Sequence, residues 1–119
     1  MGFPRTNLLC FATMPDGYGY EERIEAAARS GFEEISFWLM SIDEARQELG
    51  SLEAVKALLD KNGLRGSSLE FLTAWTQAEG DAHMDELGVM LGAAEVFQPD
   101  VVMIGCLDEV IQDRAAAVT

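Results

Sequence analysis

The stretch "RSGFEEISFWLM", residues 29–40, decides the fold, because it has a near copy in "KNGLRGSSLEFL", residues 61–72. In both, a helical stretch ends one or two residues before a glycine, Gly31 or Gly63, and an apolar run of strand length follows. A glycine in that place takes the left-handed conformation that ends a helix and drops the chain into the next strand. The repeated element is therefore a helix-to-strand junction.

Working outward, four apolar runs have strand length: "NLLCFAT" (7–13), "EISFWLM" (34–40), "SSLEFL" (67–72) and "VVMIGC" (101–106). Between them apolar residues recur three and four apart, the period of a helix with one buried stripe. These are Ile24, Ala27 and Ala28, then Leu52, Val55, Leu58 and Leu59, then Met84, Leu87, Leu91 and Ala94. Glu21 and Glu22 open the first helix, where its dipole favours anions, and Arg29 closes it. Ser51 is predicted to cap the second, which ends at Lys61, Asn62 and Gly63. A short helix before it is predicted to start at Ser41, with Glu44 completing a Ser-x-x-Glu capping box. Asp81 is expected to cap the third, and Pro99 to stop it. The run "DEVIQDRAAAVT" (108–119) begins like a further helix and is cut short.

Strands separated by helical crossovers pair in parallel. The predicted fold class is α/β, a parallel (βα)4 arrangement of four strand-helix units with the last helix truncated. Strand starts at residues 7, 34, 67 and 101 lie about 27 to 34 residues apart. That is near the ~31 expected when roughly 250 residues build eight units of a TIM barrel. Residues 1–119 read as a single partial domain, the first half of such a barrel.

Eight basic against twenty-one acidic side chains give a formal net charge of −13, which repels phosphate backbones and anionic lipid. Nucleic acid and membrane are not expected partners. "MGFPRTNLLCFAT" lacks the long apolar core of a secretory signal, so the expected location is cytoplasmic. Cys10 and Cys106 lie in apolar runs without Cys-x-x-Cys spacing and read as small core residues. "DGYGYEE" (16–22) fails as a dinucleotide fingerprint, since Glu22 stands where the third glycine belongs. His83, the only histidine, reads as a solvated residue at a helix start.

Ligands of parallel α/β folds sit beyond the carboxyl ends of the strands. Thr13, Trp38, Glu70, Trp75, Cys106 and Asp108 fall there. Trp38 and Trp75 offer flat apolar surfaces for a sugar ring, and Glu70, if it points inward, can accept hydrogen bonds from hydroxyls or act as a base. These three are the candidate substrate-binding residues; each also has a bland reading, the tryptophans as caps on the core and Glu70 as a solvated residue.

With these residues the chain resembles the sugar phosphate isomerase/epimerase family of xylose isomerase-like TIM barrels. "IEAAARSGFEEISFW" (24–38) is similar to the family's first helix entering strand two, "VKALLDKNGLRGSSLEF" (55–71) to helix two and strand three, and "LGAAEVFQPDVVMIGC" (91–106) to helix three and strand four. The likeness covers nearly the whole chain and the amino-terminal half of that fold. Ser36 stands where the family commonly has a glutamate, which removes one expected contact to substrate. The resemblance implies metal-assisted proton transfer next to a carbonyl in full-length relatives, with a divalent metal and acid/base groups drawn from strands five to eight. No cofactor is therefore assigned to this chain, no catalytic residue is carried over, and its strands are expected to supply substrate walls. Two alternatives follow from the same pattern: a half-barrel that associates with itself or with a second half through its open edges, and a flavodoxin-like binding module, which would need a fifth strand.

Overall fold

The computed structural model describes residues 8–10, 17–72 and 82–104. Eight elements follow one another: β1 (Leu8–Cys10), α1 (Tyr20–Arg29), β2 (Glu34–Trp38), α2 (Leu39–Leu49), α3 (Leu52–Lys61), β3 (Arg65–Leu72), α4 (Ala82–Phe97) and β4 (Val101–Ile104). The strands form one sheet in the order β1-β2-β3-β4, with every neighbouring pair parallel. This is the (βα)4 half of a TIM barrel. A flavodoxin-like sheet places its first strand between two others and reverses its winding there. Here β1 is an edge and the order never reverses, so that alternative is set aside.

The repeated glycines do the same work twice. At the end of α1, Gly31 (φ 90°) donates to the Ala28 carbonyl and Phe32 to that of Ala27, at 3.1 and 3.2 Å. At the end of α3, Gly63 (φ 69°) donates to Asp60 and Leu64 to Leu59, at 3.1 and 2.9 Å. Both are Schellman motifs, with the apolar residue after the glycine turned back onto the core. Ser51 caps α3 as predicted, accepting from the Ala54 amide at 3.0 Å.

The second connection departs from the sequence pattern. β2 runs without a loop into α2 at Leu39, so Leu39 and Met40 are helical rather than extended. Ser41 then lies inside the first turn, buried, and the N-cap position falls on Trp38, which makes no side-chain cap. The expected capping box does not form, and Glu44 accepts from the Tyr20 hydroxyl at 2.7 Å instead. One turn further along α2, Glu48 accepts from the Tyr20 amide at 3.1 and 3.2 Å, which satisfies a free donor at the start of α1. A Cβ on Gly19 would meet Glu48 Oε1 at 2.7 Å, so a side chain there would make the flexible end of Glu48 shift. Asp81 and residues 108–119 lie outside the described residues.

The core lies between the helices and one face of the sheet. Ile35, Phe37 and Leu69 face Ile24, Ile42, Val55, Leu59, Met90 and Phe97, all buried. Phe37 and Phe97 stack with centroids 5.1 Å apart and planes 4° from parallel, and burial of each such ring contributes about 2–3 kcal/mol. Gly66 leaves room for the stack: a Cβ there would lie 3.3 Å from the Phe97 ring, and the ring would have to give by a few tenths of an ångström. At the amino ends of the strands Arg65 forms two 2.6 Å bonds with Asp100, holding the carboxyl of Asp100 below the usual aspartate range. Among the described residues no helix is long and apolar enough to cross a membrane.

Burial, reinforced by the Glu44 hydrogen bond, pushes the Tyr20 phenol above its ordinary pKa of 10.0. The folded state therefore favours the neutral phenol, and the stability it confers is complete below the unfolded pKa and lost as pH rises from there toward the folded one. Urea melts are expected to show an alkaline loss of stability beginning near pH 10 that is reduced in Tyr20→Phe. An unchanged alkaline limb in that variant would contradict the clasp.

Candidate active-site wall on the inner sheet face

Side chains alternate across a strand. With Ile35 and Phe37 turned to the helices, Ser36 and Trp38 face the other way, toward what is the inside of a closed barrel. The pairings Cys10 with Ser36, Ser36 with Ser68 and Trp38 with Glu70 put five side chains from three strands on that inner face, toward the carboxyl ends. A bulge sets this register. Ile35 pairs with Gly66 and Ser36 with Ser68, leaving Ser67 as the extra residue. Without it, Glu70 would point into the apolar core.

The centre of the group is the half-buried carboxylate of Glu70. The Ser36 hydroxyl donates to Oε1, and the Cys10 thiol donates to Oε2 at 3.4 Å. Each carboxylate oxygen keeps a further lone pair for a ligand hydroxyl or amide. Ser36 is fully buried and Ser68 is 4% exposed, and the Ser68 hydroxyl has no hydrogen-bond partner among the described residues. Trp38 presents an exposed ring at the end of β2. The arrangement is a fixed hydrogen-bond acceptor beside a flat apolar surface.

Of the three predicted substrate residues, Glu70 points inward as the chemistry requires, and Trp38 stands next to it in register. Trp75 lies outside the described residues, as do Thr13, Cys106 and Asp108. Ser36, which stands where the resemblance expects a substrate contact, gives its hydroxyl proton to the Glu70 carboxylate. Sequence reasoning missed Cys10 and Ser36 as members of the site. Their signal was strand parity, since a serine between two core residues must face away from the core.

Glu70 and Cys10 bring together one carboxylate and one thiol, and among the described residues no group of three or more His, Cys, Asp and Glu converges.

A further cavity lies elsewhere. A groove of about 470 Å³ runs along α1 and the free edge of β1, lined by Leu9, Tyr18, Arg23, Ala26 and Phe32 among others. Its lining also includes the charged side chains of Glu22, Glu25 and Arg29. In parallel barrels, ligand chemistry sits on the inner face at the carboxyl ends of the strands.

No family profile matches the chain, and no curated protein matches it. Among solved structures it is similar to the probable 3-DHS dehydratase AsbF involved in petrobactin synthesis from Bacillus anthracis, a xylose isomerase-like TIM barrel enzyme. The TM-score is 0.65 at 17% identity, over 84% of this chain and 38% of that one. Likeness at this identity is one of fold, and the chain spans well under half the length of its neighbour.

The Glu70 and Ser36 pair should be strongly coupled. Glu70→Ala strands a buried hydroxyl, and we expect it to cost about 1–3 kcal/mol in urea melts. The double variant Glu70→Ala/Ser36→Ala should regain part of that loss, giving a coupling of about 1 kcal/mol or more. Additive losses would mean that the bond does not hold the carboxylate.

Proposed function

We propose that this chain forms the substrate-contacting wall of a sugar-modifying enzyme of the xylose isomerase-like kind, an isomerase or epimerase acting on a sugar or sugar phosphate. The observation that carries the reading is Glu70, clamped by Ser36 and Cys10 at the carboxyl ends of a parallel, sequentially ordered sheet. In this reading a sugar ring packs against Trp38, with Trp75 as a second apolar surface, while its hydroxyls donate to Glu70. The chain's own residues bind and orient. Proton transfer next to the carbonyl, and the divalent metal that assists it in the resembling family, would draw on ligands other than those described here, so the chain is non-catalytic by itself.

A second reading is favoured by the sheet's edges. Val101, Val102 and Ile104 of β4 are exposed, and the groove beside β1 is largely apolar. Open parallel edges invite pairing, with a second half-barrel or with another copy of this chain. A species of twice the chain's mass in sedimentation would support self-association, and a lone monomer at high concentration would overturn it.

For the leading reading, titration with D-fructose should quench tryptophan fluorescence saturably, with a millimolar dissociation constant because one wall supplies only a few contacts, about 4 kcal/mol in all. Glu70→Gln should weaken binding about tenfold. Saturable quenching unaffected by that change, or none at all, would overturn the site. Solvent-proton exchange into the sugar, catalysed by this chain alone and abolished by EDTA, would overturn its non-catalytic role.

A further inference from the structure

The Ser68 hydroxyl is the unexplained group on the inner face. Ser68 is 4% exposed and its Oγ has no hydrogen-bond partner among the described residues, whereas buried polar groups in folded proteins are nearly always paired. An orphaned hydroxyl bears the desolvation penalty without return. A chain gains nothing in stability from such a group, since alanine would fill the same space without a polar atom.

Its surroundings point to what would pair with it. Ser68 lies two residues before Glu70 on β3 and beside Ser36 of β2, so its side chain shares the face that holds the Glu70 carboxylate. The Ser36 hydroxyl gives its proton to Glu70 Oε1, and although its oxygen could still accept, it makes no hydrogen bond with Ser68 Oγ. Glu70 offers only acceptors to incoming groups. Ser68 is thus the remaining donor beside a clamped acceptor, one step deeper toward the amino end of the strand.

We propose that Ser68 is a ligand-contact residue whose hydroxyl donates to an oxygen of a polyhydroxylated ligand, while Glu70 accepts from a neighbouring hydroxyl of the same molecule. Donor and acceptor together then read two hydroxyls of one ligand, where Glu70 alone reads one. The assignment rests on the functional reading above and extends it to a residue that neither charge nor aromatic character marks in the sequence.

The test is Ser68→Ala in the full chain, followed by two readouts. Its urea midpoint should equal or exceed that of the parent, because an unpaired buried hydroxyl has been removed. Its affinity for D-fructose should fall about five- to tenfold, which is the loss expected for one hydrogen bond. A lower midpoint would show that Ser68 has a structural partner and overturn the inference. So would an unchanged affinity, the result expected if only a buried water occupies the place. If the parent chain shows no saturable binding of D-fructose, the functional reading falls and this inference with it; binding that survives the substitution removes the inference alone.

Discussion

A carboxylate cannot lie on the inner face of a parallel sheet unless donors reach it, and this constraint organises the chain. Glu70 meets it with donors from two other strands, the Ser36 hydroxyl of β2 and the Cys10 thiol of β1. The three strands must therefore keep one register. The bulge at Ser67 supplies it, since it shifts β3 by one residue and turns Glu70 away from the core while Leu69 stays within. On the opposite face, Gly66 admits the Phe37 and Phe97 stack that pins α4 across the same strands. Apolar packing on one side thus fixes the polar geometry on the other.

Much of the fold was legible because its punctuation is local. Gly31 and Gly63 mark two helix ends with the same hydrogen-bond pattern, and Ser51 caps the helix it precedes. Both depend on residues within one turn of each other. The start of α2 was not legible: Ser41 and Glu44 have the spacing of a cap, but β2 enters the helix at Leu39 and tertiary contacts recruit Glu44 to Tyr20. The inward aim of Glu70 was stated only as a condition in the sequence, since a bulge reverses strand parity and leaves no compositional trace. Cys10 and Ser36 escaped for a related reason. Their role arises from pairing across residues far apart in the chain, 60 and 34 positions from Glu70.

Sheet order explains why a barrel-type reading holds where a doubly wound one does not. Sequential strands leave edges at β1 and β4, and both carry apolar surface, in the groove beside α1 and at Val101, Val102 and Ile104. In a closed barrel such edges pair with further strands. The similar solved structure is much longer than this chain, which covers 38% of it.

The central claim is that ligand chemistry belongs to the inner face of the sheet rather than to the apolar groove along α1. Amide chemical-shift mapping of an isotope-labelled chain during a D-fructose titration tests it most directly. The account predicts saturable shifts centred on Cys10, Ser36, Trp38, Ser68 and Glu70. Shifts confined to the groove from Tyr18 to Phe32 would contradict it.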